Sequence, residues 1–301
     1  MYDTEYELVF KAGDWIGLKG ETVLMKKTMT VIFLAIMSGF SFVDAPGAQQ
    51  GSEPTKGGKT YVLIVGGINK DPKDRRVKDR AVTDLRRFLL DDAGIKPERL
   101  GVLADRESTV RNGSKISTAE NLKEQMNKFA AAVNPADRFI FYYVGQANVV
   151  AGELRLNLRG VDVTHEKLAE WIDWIKASSM LIVLDCPGAG LAVKAVAAKG
   201  RIIIGACTAE QHYSTKFSEY FVPAILDEKT DADSDGRISL LEAFTSACRD
   251  LDDFYRRQSL LTTETPVLED NGDGTASRQP WRYEQNKTDG LAASKFFFSS
   301  E

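Results

Sequence analysis

The chain has 301 residues, 43% hydrophobic and 27% charged, the balance of an ordinary globular protein with one large domain or two small ones. A formal net charge of −4 provides no attraction to nucleic acid or to an acidic membrane, and no nucleic-acid partner is expected. The cysteines, Cys186, Cys207 and Cys248, are too few for a disulfide scaffold, so a hydrophobic core must carry the fold and burial is the expected fate of an odd thiol.

Residues 25–48 read as a secretory signal. Met25-Lys26-Lys27 supplies a positive start, Thr30 to Val43 a mostly apolar stretch, and Ala45 or Ala48 a small residue for cleavage. The apolar run is shorter than the ~20 residues of a membrane-spanning helix, so no stable membrane insertion is expected after cleavage. Residues 1–24 read as a mis-assigned or non-native extension, with the native start expected at Met25. The product is expected to be exported, to the periplasm or the extracellular space. Residues 49–58, rich in Gly, Ser and Gln, read as a linker.

From residue 59 apolar runs alternate with amphipathic stretches. Tyr61–Val65 predicts a buried strand ending in Gly66-Gly67. Ala81, Leu85, Phe88 and Leu89 repeat at helical spacing. The mixed charge run Arg75–Arg80 before them reads as a solvated loop or helix start. Leu100–Leu103 predicts a second strand. Ser117-Thr118-Ala119-Glu120 fits a capping box opening a helix through Phe129. Phe139–Val144 predicts a third strand, and Val149–Leu158 a hairpin around Ala151-Gly152. A helix is expected over Thr164–Ile175, with His165 facing solvent in its first turn and Trp171 and Trp174 as core. Leu181–Leu184 and Ile202–Ile204 predict two more strands, with a helix over Leu191–Ala198 between them. Short, uniformly apolar strands separated by helices indicate a parallel sheet covered on both faces. Ligands bind such sheets beyond the carboxyl ends of the strands, where Gly66, Gln146, Asp185 and Cys207 fall. Residues 261–301 read as irregular and packed on the domain.

Two of these strand ends carry a pattern. Phe141-Tyr142-Tyr143-Val144-Gly145-Gln146-Ala147 closes the third strand, and Leu184-Asp185-Cys186-Pro187-Gly188-Ala189-Gly190 the fourth. Together, in this order, they resemble the caspase, metacaspase and legumain superfamily of cysteine peptidases, in particular bacterial legumain-type or metacaspase-like domains. There a hydrophobic strand ends in Gly-His-Gly and the next in Asp-x-Cys-x-(Ser)-Gly. The resemblance spans roughly residues 59–250 and implies a three-layer caspase-like fold, within a domain of residues 59–260. It places Gln146 on the histidine position and Pro187 on the cysteine position. Gln146 cannot exchange a proton near neutral pH. Pro187 has neither a thiol nor a backbone N–H for an oxyanion, and Ala147 stands on the position of the glycine amide. The resemblance therefore implies a pseudo-peptidase whose old substrate edge, at the carboxyl ends of the strands, binds a peptide or protein ligand. The alternative is an active cysteine peptidase with a displaced nucleophile, Cys186 or Cys207, assisted by His212 just beyond the fifth strand.

The strongest local motif is Asp231-Ala232-Asp233-Ser234-Asp235-Gly236-Arg237-Ile238-Ser239-Leu240-Leu241-Glu242, which matches an EF-hand calcium loop at each constrained position. Asp231, Asp233 and Asp235 offer carboxylates and Gly236 the sharp turn. Arg237 offers its carbonyl, Ser239 a direct or water-bridged contact, and Glu242 two closing oxygens. Structural Ca2+ is the expected cofactor, in a single loop with an exiting helix through Leu251 and no paired second hand. Glu269-Asp270-Asn271-Gly272-Asp273-Gly274 offers half of another such loop, but its position twelve would be Pro280, and a plain turn is expected there.

Overall fold

A computed structural model describes residues 58–106, 114–283 and 288–298. The expected extension (1–24), signal (25–48) and all of the linker but Gly58 lie outside the described residues. The first strand, β1 (Thr60–Gly66), pairs in parallel on one side with β2 (Leu100–Ala104) and on the other with β4 (Arg138–Val144). Beyond β2 lies the short β3 (Lys115–Ile116). Beyond β4 lie β8 (Ser179–Asp185) and then β9 (Arg201–Gly205), all parallel. An antiparallel edge strand, β10 (Val267–Glu269), completes a sheet of 7 strands in the order β10-β9-β8-β4-β1-β2-β3.

Side chains alternate through this sheet into two apolar layers. Tyr61, Leu63 and Val65 pack with α2 (Ala119–Ala132) and α3 (His165–Asp173). Val62 and Ile64 pack with α1 (Pro72–Asp91), α5 (Phe217–Leu226) and α6 (Leu240–Arg257). The architecture is mixed α/β, with a mostly parallel central sheet and helices over both faces, as its continuous apolar strands require. No described helix is long and apolar enough to cross a membrane.

Local chemistry sets most boundaries. Asp71 caps α1, accepting from the amides of Lys73 (2.8 Å) and Asp74 (3.0 Å), with Pro72 at the first helical position. The run Arg75–Arg80 lies inside this helix, and Lys78 turns inward with Ala81, Val82, Leu85 and Leu89. The cap of α2 is Thr118, whose side chain accepts from Asn121 N. This displaces the box predicted on Ser117, because Ser117 N is already committed to Ala104 O at the end of β2. Ala151 (φ 52°) and Gly152 (φ 82°) make a tight turn between β5 (Ala147–Val150) and β6 (Glu153–Leu156), the primed geometry that suits strand twist. With β7 (Val163–Thr164) they form a separate sheet of 3 strands.

Three expectations need correction. His165 is buried, only 8% exposed, at the start of α3. The helix predicted over Leu191–Ala198 is a 3-10 segment, Ala189–Ala192, followed by one turn of α4 (Val193–Val196). The stretch 261–301 supplies β10, and its Phe296 and Phe298 are buried in the α1/α5/α6 layer.

Candidate functional site

At the carboxyl edge the ends of β1, β4 and β8 stand in register, Gly66 beside Val144 and Val144 beside Asp185. Gly67 N donates to Val144 O (2.9 Å) and Gly145 N to Asp185 O (3.0 Å). The chains approach so closely that a Cβ on Gly145 would lie 2.6 Å from Gly67 Cα. The Tyr143 hydroxyl threads this gap and donates to Gln146 O (2.6 Å), locking the turn that presents Gln146. The Gln146 amide nitrogen donates to Ile68 O (3.1 Å), and its side-chain Nε2 to Ser214 Oγ (3.1 Å). Ser214 Oγ in turn donates to Asp74 Oδ2 (2.7 Å).

Beneath this rim lies a buried polar cluster. Asp185, 1% exposed, accepts from Ser218 N at Oδ2 (2.9 Å) and from the Thr215 hydroxyl at Oδ1. Lys78 Nζ lies 3.9 Å from Asp185 Oδ1 and donates to Thr215 Oγ1 at 3.1 Å. Glu264, also 1% exposed, accepts from Lys216 N at both oxygens (2.9 Å each) and from the Tyr255 hydroxyl (2.9 Å). Burial, and then the Asp185 charge, push its carboxyl up to about 7.

The predicted site residues gather along one rim without forming a catalytic pair. Cys186 is fully buried and belongs to the α2/α3 layer with Leu184 and Ala189. Burial, then Cys207 and Asp185, hold its thiol well above the usual range. Pro187 is buried, and Gly188 (φ 69°) turns the chain where a Cβ would strike Val149 Cγ2 at 2.7 Å. The Cys207 thiol donates to Gln211 O (3.2 Å) and Cys186 O (3.4 Å), and burial pushes it up to about 11. His212 is exposed, with Nε2 2.8 Å from Ala209 O. Among the described residues no hydrogen bond joins His212 to Cys186 or Cys207. Cys248, the remaining free thiol, is half-buried on α6.

Sequence reading missed Lys78, Thr215, Ser218 and Glu264. Lys78 had a usable signal, since it lies three and seven residues before Ala81 and Leu85 on the apolar face of α1. Glu264 had none, because it stands in an irregular stretch.

The acidic loop lies apart from this edge, between α5 and α6. Carboxylate oxygens of Asp231, Asp233 and Asp235 come within 4.8 Å of one another. Gly236 (φ 85°) makes the turn, and its amide donates to Asp231 Oδ2 (2.9 Å). Asp233 Oδ1 accepts from Asp235 N (3.1 Å), and Asp235 Oδ1 from Arg237 N (2.8 Å). The Asp235 amide favours the charged form of Asp233. Desolvation and the charges of Asp235, Glu242 and Asp231 outweigh it and leave that carboxyl above its usual value. Glu242 reaches back to Ala232 N (2.8 Å) with Oε1 and to Ser239 N (2.8 Å) with Oε2, while Ser239 Oγ accepts from Glu242 N. This reciprocal cap starts α6. Ser239 bridges Phe297, Leu240 N donates to Phe296 O (2.8 Å), and the Arg237 guanidinium lies 3.7 Å from the Phe297 ring centroid. The C-terminal segment thus braces the loop from the side.

No protein-family model matches the chain, and no curated protein matches it.

Proposed function

We propose that this chain is an exported pseudo-peptidase of the caspase-like class, braced by calcium at Asp231–Glu242, whose strand edge holds a peptide or protein partner. The observation that carries the reading is that Gln146 and Pro187 follow the ends of neighbouring parallel strands, on positions that the resemblance to caspase-like peptidases gives to catalytic groups neither can replace. The Gln146 amide is engaged by Ser214, and Pro187 has no N–H to offer. Both nearby thiols are held protonated at neutral pH by burial, which disfavours a displaced nucleophile. A binding role is supported by apolar groups exposed beside the edge, Val150 at 48% and Tyr213 at 67%. The hairpin strand β5 and the His212 loop that carry them flank Gly188. Calcium is supported by the three converging carboxylates and the turn at Gly236, with the Arg237 carbonyl, Ser239 and Glu242 completing a set of oxygens that suits a hard divalent ion.

The test is a diverse peptide library presented to the purified protein with calcium, read for both cleavage and retention, with Cys186→Ala and Cys207→Ala in parallel. Retention without cleavage is expected, and a substitution at Tyr213 should weaken it. Cleavage that one cysteine change abolishes would overturn the pseudo-peptidase reading.

A further inference from the structure

The stretch that begins at the last residue of β10 repeats three hydrogen bonds of the acidic loop at matching positions. Gly274 N turns toward Glu269 Oε1 (3.5 Å) as Gly236 N does toward Asp231. Asp273 N donates to Asn271 Oδ1 (2.8 Å) as Asp235 N does to Asp233. Thr275 N donates to Asp273 Oδ1 (2.7 Å) as Arg237 N does to Asp235. Positive φ angles recur at the fourth and sixth positions, Ser234 (61°) and Gly236 (85°) in one loop, Gly272 (85°) and Gly274 (77°) in the other.

The missing twelfth ligand also has a counterpart. In the first loop Glu242 Oε1 accepts from the amide at position two, Ala232 N. In the second the amide at position two, Asp270 N, donates to Asp289 Oδ1 (3.1 Å), from 19 residues further along the chain. Asp289 is itself buried, 4% exposed. It is fixed there because the Asp270 carboxylate accepts from Gly290 N (2.9 Å) and Ala293 N (2.8 Å).

An independent observation points to a ligand. Glu269 is completely buried, and its Oε2 has no hydrogen-bond partner. Its other oxygen accepts from Gly272 N at 2.5 Å inside the same loop, so the orphaned oxygen belongs to a carboxylate turned onto the cluster. A buried anionic oxygen without a partner is costly, and an ion held by the loop would supply one.

We propose that Glu269, Asn271, Asp273, the Thr275 carbonyl and Asp289 form a second site for a hard divalent cation, calcium by its all-oxygen donor set, closed by a carboxylate from outside the loop. With one bidentate carboxylate these groups give six oxygens, the lower bound for calcium. Among the described residues only the first loop brings three acidic groups within 4.8 Å of one another, so the second site requires Glu269, Asp273 and Asp289 to draw closer around the ion. Two lysines border the loop, Lys194 alongside Gly274 and Lys199 alongside Gly272.

The experiment is a count of calcium ions bound per chain, by equilibrium dialysis against calcium alone. The intact chain is expected to bind two. Asp289→Asn and, separately, Asp273→Asn should each remove one ion or weaken it at least tenfold. Asp273 is exposed, so its variant remains informative if the buried Asp289→Asn does not fold. Glu242→Gln should remove the other ion alone. A count that Asp273→Asn leaves unchanged in number and affinity overturns this second site. A count that Glu242→Gln leaves unchanged while Asp273→Asn lowers it upholds the second site and instead overturns calcium at 231–242.

Discussion

The strand edge and the acidic loop treat charge in opposite ways. At the edge Asp185 has Thr215, Ser218 N and Lys78 around it, Gln146 has Ser214, and the Cys207 thiol has two carbonyls. In the loop Asp231, Asp233 and Asp235 crowd together, and backbone amides are the partners that hold them there. Amides orient carboxylates without cancelling their charge. The edge has therefore turned most of its charged and thiol groups to the fold, and the side chains exposed beside it, Val150 and Tyr213, are the ones on which the proposed binding role rests. The loop keeps an uncompensated charge, which is the condition for holding a cation.

The comparison breaks most visibly at Lys78. Lys78→Met would leave the Asp185 carboxylate buried with no facing cation, and the expected loss is roughly 3 kcal/mol or more, read from urea unfolding. Adding Asp185→Asn should recover part of it, because the remaining partners suit a neutral amide better than an unpaired charge. A loss within a few tenths of a kcal/mol would mean that the edge is not closed upon itself. The loop should respond to its surroundings instead. Calcium at a hundredfold excess over its dissociation constant adds about 2.7 kcal/mol per site. Chelation should lower the melting temperature, and Glu242→Gln should abolish the share due to this loop. A melting curve indifferent to both would remove calcium from the account.

How far the sequence announces these two regions follows from how each is built. The central strands were legible because Tyr61–Val65, Phe139–Val144 and Leu181–Leu184 are continuous apolar runs that only a doubly covered sheet can bury. The acidic loop at 231–242 was legible as a tight turn of converging carboxylates because Asp231, Asp233, Asp235 and Gly236 lie in one local stretch. Lys78 and Glu264 were not, since Lys78 meets Asp185 and Glu264 meets Lys216 N only through contacts between residues far apart in sequence. β10 was hidden for a similar reason: its 3 residues gain strand geometry only from pairing with β9. Asp289 was invisible as a partner of 269–275, because only the fold brings it to the Asp270 amide.

A smaller effect concerns Glu264, whose carboxyl rises from an ordinary 4.5 to about 7 in the fold. The folded state then holds a proton that the unfolded chain has already released. The associated stability is present in full below about pH 4.5 and is lost as pH rises through about 7. With part of the shift discounted for relaxation, the fall amounts to roughly 2 kcal/mol. Unfolding free energies measured across this window should decline, and Glu264→Gln should flatten the decline, since Lys216 N and the Tyr255 hydroxyl can still donate to an amide oxygen. A slope that survives the substitution would belong to another group.

The smallest effect is the sharpest probe of the loop. Ser239→Ala removes the hydroxyl that accepts from Glu242 N and donates to Glu242 Oε2, and loss of such a cap costs about 1 kcal/mol. Glu242 caps α6, and the proposed calcium site gives it a second employment as closing ligand of the loop. Without calcium its Oε2 serves the cap, so the full cost should appear in chelator. With calcium the carboxylate is drawn toward the ion and its bond to Ser239 Oγ weakens, so the cost should shrink while calcium affinity changes little. An equal cost in both conditions would mean that Glu242 never leaves the cap. The loop would then hold its ion through Asp231, Asp233 and Asp235 alone, or hold none.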